Sequence, residues 1–201
     1  LTNPLLKLVP IEDIVKLGAK HNLRVIIDNT FLTPYNCKPL DLGVDLVLNS
    51  ATKYLNGHSD LIGGTVSGSR KLIDRIWPQM LKNGGSMDPH ACFLLERSLK
   101  TFALRMRTHN ANALELATHL ENHPKIKKVY YPGLKSHDQY ELAKTQLKGK
   151  NSGMISFEIE GGDEKAHALL EHLQLPKEAT SLGGVESLIS LPYNTSQASL
   201  T

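Results

Sequence analysis

A lysine with two hydroxyl residues just before it follows an apolar run near residue 50. In the stretch 49–60 (NSATKYLNGHSD), Ser50 and Thr52 precede Lys53. Hydroxyls beside backbone N–H groups suit a phosphate, and a desolvated lysine can form a Schiff base with an aldehyde. The same pattern is typical of a helix that Ser50 caps, with Lys53 solvated in the first turn. The stretch therefore predicts either a nucleophile beside an anion site or an ordinary exposed charge.

A carboxylate earlier in the chain joins the same argument. Asp28 follows a β-branched run, and Ser50 follows a second apolar run at 46–48. Ligands of open α/β sheets lie at the carboxyl ends of strands, so we expect Asp28 and Lys53 to converge on one cleft. A carboxylate that holds a protonated ring nitrogen, with a phosphate site and a lysine, completes the protein groups that pyridoxal phosphate requires. Asp28 in DNT is equally typical of a turn, so spacing alone leaves both interpretations open.

The elements that would position these residues alternate between helix and strand. The predicted elements are a helix at 11–22, strands at 25–27, 46–48 and 63–69, and a helix at 70–80 that ends near Pro78. Strands alternating with helices indicate an α/β sheet with right-handed crossovers. The β-branched run at 25–27 is typical of a strand that is buried on both faces of a parallel sheet.

The second half of the chain has a different pattern. Residues 105–124 predict one long helix that Pro124 ends. Its apolar face is predicted to contain Ala113, Leu116, Ala117 and Leu120. The later predicted elements are strands at 127–133, 153–162 and 186–192, a polar connection before 153, and a helix at 163–173. This order indicates a smaller α+β domain, so we predict two domains, residues 1–105 and 106–201.

Composition excludes several classes of protein. The chain of 201 residues is 40% hydrophobic and 21% charged, with a net charge of +3, which is ordinary for a globular protein. Its one short basic cluster, at 125–128, has no aromatic stacking pattern beside it, so nucleic-acid binding is not expected. No apolar run approaches the ~20 residues of a membrane span. Cys37 and Cys92 are far apart in sequence, which argues against a disulfide framework and suits a reducing cytoplasm.

Five other polar side chains are of types that could serve a function. His119 and His123 have the spacing of metal ligands on a helix, but no third ligand is placed, so no metal site is predicted. His58 is expected to fix the loop around Lys53 (49–60) by hydrogen bonds rather than to act as a base. Arg97 and Arg105 are expected to reach a phosphate or carboxylate, or to form an ion pair across a subunit interface.

Five segments together resemble a known family. They are IIDNTFLTPY (26–35), DLVLNSATKYLNGHSDLIGG (45–64), LERSLKTFALRM (95–106), VYYPGL (129–134) and SLGGVESLISLP (181–192). In this order, across nearly the whole chain, they resemble the pyridoxal-phosphate enzymes of cysteine and methionine metabolism, closest in pattern to cystathionine γ-synthase and γ-lyase. The resemblance implies the large α/β domain of the aspartate aminotransferase-like fold (fold type I) and a smaller C-terminal α+β domain, both incomplete in this chain.

The resemblance also implies a cofactor site. The residues implied to bind pyridoxal 5'-phosphate are Lys53, Asp28, Ser50, Thr52, Asn3 and Thr30. Lys53 is implied to form the Schiff base and to move protons as the catalytic residue, while Asp28 pairs with the ring nitrogen. The hydroxyls of Ser50 and Thr52 are implied to bind the phosphate. Thr30 is expected near the ring, and Asn3 is expected to bond to the 3-oxygen of the cofactor.

The GGVES motif is implied to contact the substrate. Ser187 matches a serine near the substrate carboxylate and Lys53, and Glu186 is typical of cystathionine γ-synthases and γ-lyases. The implied reaction is γ-replacement or γ-elimination on amino acids such as cystathionine, O-acyl-homoserine and cysteine. Methionine γ-lyase, O-acetylhomoserine sulfhydrylase and cystathionine β-lyase activities remain alternatives. A catalytically dead relative that keeps the fold for assembly is the alternative of a different class.

Parts of the family's site are expected outside this chain. Family members are considerably longer, and they carry a ring-stacking tyrosine, a Gly-Met phosphate loop and a substrate-binding arginine in segments that have no counterpart here. We therefore expect the chain to be part of a longer protein. Because a neighbouring subunit supplies phosphate-binding residues in the family, a homotetramer built as a dimer of dimers is implied. The run at 192–200 (PYNTSQASL) replaces a more usual Met-Thr-His run.

Overall fold

A three-stranded sheet carries the residues with which the sequence argument begins. The computed structural model describes residues 1–192 and 195. The strands are β1 (Ile26–Asp28), β2 (Leu46–Ser50) and β3 (Gly64–Gly68), in the order β1-β2-β3. β1 pairs with β2 in parallel, and Asp28 lies opposite Leu48. The carboxyl ends of both strands therefore lie at the same edge of the sheet.

The third strand differs from the predicted crossover pattern. β3 runs antiparallel to β2, with Ser50 opposite Gly64. Residues 51–63 connect the two strands and contain only the short π-helical segment Ala51–Leu55. A parallel return needs a crossover of a dozen or more residues, usually a helix. This connection (residues 51–63, called the lysine loop) instead reverses the chain directly.

The two faces of this sheet are unequal. Ile27 and Val47, which are paired neighbours on one face, pack into the core with residues of the first helix. On the opposite face Ile26 is 55% exposed, and Leu48 and Val66 are also exposed. The prediction that the strand at 25–27 is buried on both faces is wrong for the described residues. In the part of the chain that the structure describes, β1 is an edge strand of this sheet and one of its faces is exposed.

The helices follow the sheet strands along the chain. In the described part they are α1 (Ile11–Lys20), α2 (Thr33–Asn36), α3 (Arg70–Asn83), α4 (Pro89–Leu99), α5 (Phe102–Glu121), α6 (Tyr140–Gln146) and α7 (Gly162–His172), with a 3₁₀ turn at Pro39–Leu42. The long helix predicted at 105–124 is confirmed as α5, and the helices predicted at 11–22 and 163–173 are confirmed as α1 and α7. None of these helices is both long and apolar enough to cross a membrane.

The expected helix end at Pro78 is wrong. α3 continues past Pro78 to Asn83 and ends where Gly84 adopts a left-handed conformation, with φ +69°. Proline removes one helical hydrogen bond, but it does not stop a helix whose neighbouring bonds persist. Glycine is the residue best suited to a left-handed helix end, so Gly84 rather than Pro78 sets the boundary.

A second sheet packs against α5. Its strands are β4 (Ile126–Tyr130) and β5 (Ser156–Ile159), which pair antiparallel. Their apolar cluster contains Ala113, Ala117, Val129, Tyr131 and Leu134, with Leu120, Ile155 and Phe157 packed beside it. The predicted alternation in β5 is thereby confirmed for its apolar face. Leu116 is an exception to the predicted helix face, because it is 51% exposed.

The polar connection before residue 153 contains a helix that sequence reasoning missed. Ala143 in α6 and Leu147 just after it are part of a core that also contains Leu8, Ile11 and Val47. A helix of seven residues with so few apolar positions gives little periodic signal. Near the end of the described chain, β6 (Lys177–Glu178) and β7 (Leu188–Ile189) form a parallel pair. Most of the run at 192–200 lies outside the described residues.

Candidate active site

A cavity of about 310 Å³ lies at the carboxyl ends of β1 and β2. Its lining residues are Leu1, Asn3, Asp28, Thr30, Phe31 and Ser50. The parallel pairing places Asp28 level with Leu48, just before Ser50, so both strand ends open on the same space. A larger cavity of about 540 Å³ near α1, α2 and α6 contains none of the predicted site residues. The structure therefore gathers four of the predicted side chains around the smaller cavity.

The turn after β1 uses only part of the Asp28 carboxylate. Its Oδ1 accepts a hydrogen bond from the Thr30 N–H at 2.8 Å, and Thr30 Oγ1 in turn accepts one from the Ser50 N–H at 2.8 Å. Among the described residues, no donor is hydrogen-bonded to the second oxygen, Oδ2. Asp28 thus forms the predicted turn and still presents a carboxylate oxygen at the cavity.

The lysine lies inside a distorted helical turn. In the segment Ala51–Leu55, Lys53 has non-helical backbone angles, φ −88° and ψ −131°. Ser50 occupies the N-cap position, but its side chain makes no capping hydrogen bond. The alternative in which Ser50 serves as a cap is therefore wrong. The half-buried Lys53 donates a hydrogen bond from Nζ to Ser181 Oγ at 3.0 Å.

The Thr52 hydroxyl is hydrogen-bonded within the loop, and Thr52 does not line the cavity. Its Oγ1 accepts a hydrogen bond from the Gly63 N–H at 3.0 Å and lies 3.4 Å from the Gly63 carbonyl oxygen. The Ala51 N–H donates to the same carbonyl at 2.8 Å. The hydroxyl of Thr52 thus joins both ends of the loop that returns the chain to β3.

The GGVES motif makes a hydrogen bond to the lysine loop through Glu186. Ser59 Oγ donates to Glu186 Oε1 at 2.5 Å, and this bond holds the pKa of Glu186 below its usual range. Glu186 is therefore ionised at neutral pH. Ser187 is exposed, and its carbonyl accepts the Lys177 N–H at 2.9 Å. Ser181, which sequence reasoning did not single out, contacts Lys53 Nζ instead of Ser187.

A glycine lets the 181–184 loop approach the lysine backbone. Gly183 has φ +81°, and a Cβ built on it would lie 2.5 Å from the Tyr54 nitrogen and 3.0 Å from the Lys53 carbonyl carbon. Only glycine has both the conformational freedom and the missing side chain that this contact requires. The close approach brings Ser181 within reach of Lys53.

Gly183→Ala is expected to affect both stability and turnover in the full-length protein. The left-handed conformation alone costs an alanine roughly 1–2 kcal/mol, and the contact with Tyr54 adds to this loss. Gly84→Ala is the matched control, because Gly84 has φ +69° with nothing within 4 Å of the added Cβ. Urea unfolding and kcat are measured for both variants. We expect a similar backbone penalty in each and a fall in kcat, roughly tenfold or more, only in Gly183→Ala. Equal kcat values in the two variants would contradict this assignment.

A buried hydroxyl connects the two strand-end loops. Ser152 Oγ donates to the Phe31 carbonyl at 2.5 Å and lies 3.4 Å from the Tyr54 hydroxyl. Phe31 follows Thr30, and Tyr54 follows Lys53, so the contact ties together the residues just after each strand. Burial raises the pKa of Tyr54, which therefore stays protonated at neutral pH. Ser152 lies in the stretch that the sequence predicts only as a polar connection.

Two other side chains fix the lysine loop. His58 Nδ1 lies 2.8 Å from the Asn56 carbonyl oxygen and 3.0 Å from Ser98 Oγ, so its predicted loop-fixing role is confirmed. Arg105 Nη1 donates to the Tyr54 carbonyl at 2.7 Å. In the described chain Arg105 has no carboxylate partner within ion-pair distance. Within the single described chain Arg105 bonds to backbone carbonyls, and the ion pair across a subunit interface stays a prediction.

The donor set at the cavity fits pyridoxal phosphate. Asp28 offers a free carboxylate oxygen for a protonated ring nitrogen, and Asn3 offers an amide for the ring oxygen. Ser50 has a hydroxyl that is not used in capping, as a phosphate ligand requires. Lys53 lies on the adjoining turn and does not line the cavity, but its amine has the chemistry to bond to the aldehyde. Within the described residues no three His, Cys, Asp or Glu side chains are grouped to hold a metal ion.

Comparisons with known proteins agree with this chemistry. The sequence matches the family described as Cys/Met metabolism PLP-dependent enzyme over residues 1–201. An L-methionine gamma-lyase of Fusobacterium nucleatum subsp. nucleatum is 46% identical, with 99% of this chain and 51% of that protein covered. A cystathionine gamma-lyase of Bacillus subtilis is also 46% identical, with 99% of this chain and 52% of that protein covered. The crystal structure of cystathionine gamma synthase from Xanthomonas oryzae pv. oryzae, in complex with aminoacrylate and cysteine, has a TM-score of 0.96 at 40% identity, over 100% of this chain and 52% of that chain.

The extent of these matches decides the classification. The chain spans about half the length of the curated relatives it matches. The family match nevertheless runs from the first residue to the last, and the likeness in fold covers the whole chain. The predicted fold class, a partial pyridoxal-phosphate transferase fold of mixed α/β type, is confirmed. The chain belongs to the family of pyridoxal-phosphate-dependent enzymes of cysteine and methionine metabolism.

Proposed function

We propose that the protein acts on sulfur-containing amino acids by γ-elimination or γ-replacement, in the manner of cystathionine γ-lyases and γ-synthases. The observation that supports this most is the cavity at the ends of β1 and β2. Asp28, with one free carboxylate oxygen, and Ser50, whose hydroxyl makes no capping hydrogen bond, both line this cavity. Lys53 lies on the turn that follows β2. A fold kept only for assembly has no need of these groups together.

Each cofactor contact is proposed from the chemistry of a side chain. When bound, pyridoxal phosphate supplies an electron sink for the electron pair that remains after a substrate proton leaves. The Asp28 carboxylate would hold the proton on the ring nitrogen, and the Ser50 hydroxyl would bind the phosphate. Thr52 would join it by turning its hydroxyl from Gly63 towards the cavity. The Asn3 amide orients the ring through its oxygen, and Thr30 lies beside it. These contacts place the amino acid's α-carbon in reach of Lys53.

Lys53 is proposed to carry the protons of the reaction. Its Nζ would remove the proton from the substrate α-carbon and release it again. As a free base once more, it would then accept the second proton, which leaves the β-carbon before the γ-substituent is expelled. An amine that is freed from its aldehyde partner suits both transfers, because it is a base of the required strength on a movable stem. Ser181 accepts a hydrogen bond from Nζ, so we propose that it orients the amine between transfers. Ser187 is proposed to contact the substrate carboxylate.

Glu186 is proposed to select substrates with a second ammonium group. Its carboxylate is ionised at neutral pH and exposed beside Ser59, near the lysine loop. Cystathionine carries an ammonium at each end of the molecule, whereas methionine carries only the one at its reacting end. An ionised carboxylate away from the reacting carbon therefore favours cystathionine over methionine.

Glu186→Gln is the test of this selectivity in the full-length protein. We expect kcat/KM for cystathionine to fall roughly tenfold, the equivalent of ~1.4 kcal/mol, while kcat/KM for methionine changes little. Glu164→Gln, an exposed glutamate at the start of α7, is the matched control and should leave both values unchanged. Equal losses for the two substrates would show that Glu186 does not distinguish them.

A methionine γ-lyase is the second candidate. The Fusobacterium nucleatum protein of that name matches this chain at the same 46% identity as the Bacillus subtilis cystathionine γ-lyase. A substrate panel with cystathionine, methionine, O-acetylhomoserine and cysteine separates these activities by their products. The visible absorption of the full-length protein decides between an enzyme and an inactive relative. A cofactor band that borohydride removes supports the enzyme, and no band even with added pyridoxal phosphate supports the inactive relative.

We further propose an assembly, a location and a domain boundary. A homotetramer of two dimers would cover apolar side chains that are exposed in the single chain, among them Trp77, Phe93 and Leu104. The cysteine usage suits the cytoplasm. The boundary is proposed between residues 105 and 106, near the start of α5. The molar mass in solution, measured by light scattering, tests the tetramer directly.

A further inference from the structure

Arg105 binds the lysine-bearing segment through several backbone carbonyls. It lies in the first turn of α5 and is half-buried. Its Nη1 donates to the Tyr54 carbonyl at 2.7 Å, and its Nη2 donates to the Leu55 carbonyl at 3.2 Å and to the Ser98 carbonyl at 3.1 Å. The planar guanidinium has donors in a fixed fork, so it can hold carbonyls of two segments at once.

These bonds anchor the peptides that directly follow Lys53. The Lys53 carbonyl accepts the Gly57 N–H at 2.7 Å, and the next two carbonyls along the chain accept from Arg105. Lys53 itself departs from helical angles, so its backbone is not set by a regular helical ladder. The orientation from which its side chain projects therefore depends on contacts from outside the segment.

The loop is shaped to admit the guanidinium. Gly57 has φ +73°, and a Cβ built on it would lie 2.0 Å from Arg105 Nη1. Gly183, from the 181–184 loop, packs against the same segment at a second place, the Lys53–Tyr54 peptide. Burial lowers the pKa of Arg105, but a guanidinium remains charged at neutral pH because its ordinary pKa is so high. The segment that carries Lys53 is thus held by a permanently charged donor at one site and a close glycine contact at another.

We propose that Arg105 is a positioning residue for Lys53: its fork holds the carbonyls of the two residues after the lysine and so sets the direction of the Lys53 side chain. The inference rests on the proposed function of Lys53. Arg105 does not line the cavity, so its effect on the reaction passes through the backbone. A misplacement of about 1 Å at a reacting group can cost ~10²-fold in rate, and this sets the size of the expected effect.

The test compares Arg105→Met, Arg105→Lys and a control in the full-length protein with bound cofactor. Methionine keeps much of the stem volume but has no donor, whereas lysine keeps the charge but cannot hold two carbonyls in a fixed fork. Arg107→Met is the matched control, because Arg107 is exposed on the same helix. We expect kcat to fall about 10²-fold in Arg105→Met, with KM changed less than about threefold, and to recover partly in Arg105→Lys. Arg107→Met should match the parent protein.

A spectroscopic readout separates positioning from general stability. Visible circular dichroism of the bound cofactor reports its orientation at Lys53, so we expect it to change in Arg105→Met at full cofactor occupancy. An unchanged kcat and spectrum would overturn the proposal, and so would an equal loss in Arg107→Met. If Arg105→Met does not fold, Arg105→Lys decides: a folded variant with at least a tenfold lower kcat supports positioning, and parent-like turnover overturns it. A parent protein with no cofactor band would instead overturn the proposed function.

Discussion

Replacing Lys53 with alanine is expected to lower kcat by about 10⁴-fold while the protein stays folded. A positioned acid–base group contributes roughly 10²–10⁴-fold, and Lys53 is proposed to serve as both covalent partner of the cofactor and proton carrier. The fold should tolerate the change, because the Lys53 side chain is half-buried and its hydrogen bond goes to Ser181 rather than to the core.

Two measurements check this expectation in the full-length protein. Steady-state kcat is compared with that of Lys71→Ala, which removes an exposed lysine from α3 and should leave turnover unchanged. Borohydride reduction followed by peptide mass analysis should place pyridoxyl mass on the peptide that contains Lys53 in the parent protein and not in the variant. A Lys53→Ala protein with activity within tenfold of its parent would rule out the proposed role.

Asp28→Asn is the second substitution with a large expected effect. Asparagine Oδ1 can still accept the Thr30 N–H, so the turn after β1 is preserved. The neutral amide cannot hold a proton on the ring nitrogen as a carboxylate does. We expect kcat to fall roughly 10²–10³-fold, the usual loss when one preorganised electrostatic contact is removed, with little change in stability.

The same substitution separates the two interpretations that the sequence leaves open. If Asp28 were only a turn residue, Asp28→Asn would be nearly silent. Asp88→Asn provides the matched control, because Asp88 Oδ1 accepts the N–H groups of His90 and Ala91 at the start of α4, and asparagine caps helices about as well as aspartate. Turnover that is equal in the two variants would favour the turn interpretation.

The sequence predicts those features that depend on local pattern. The apolar stripe of α5 is a periodic signal and the run before Asp28 is a continuous β-branched one. The helix and the strand both form, although the strand is not buried on both faces. The rule that strand ends carry ligands correctly groups Asp28 and Ser50 at one cavity, whereas Thr52 and Lys53, predicted at the same cleft, do not line it. Such inferences need only neighbours in sequence and the general geometry of parallel sheets.

The remaining features depend on partners that are distant in sequence. Nothing near Ser152 marks it as the hydroxyl that joins Phe31 to Tyr54, because the bonds span 121 and 98 residues. Likewise, the arginine spacing in LERSLKTFALRM cannot show that Arg105 binds backbone carbonyls. The predicted end of α3 at Pro78 is wrong for a different reason. A proline weakens a helix locally, and the strength of the neighbouring turns decides whether the helix ends there.

The contact between Lys53 and Ser181 also has a consequence for how the protein is made. The two residues are 128 positions apart, and ribosomes add roughly 5–20 residues per second. A nascent chain therefore carries its lysine loop for roughly 6–26 s before Ser181 has been synthesised. During that interval Arg105, which is added before Ser181, can already hold the loop, whereas the segment at 181–184 is added after both. Completion of the contact thus waits for Ser181, and translation products that stop before it would display the loop without this partner.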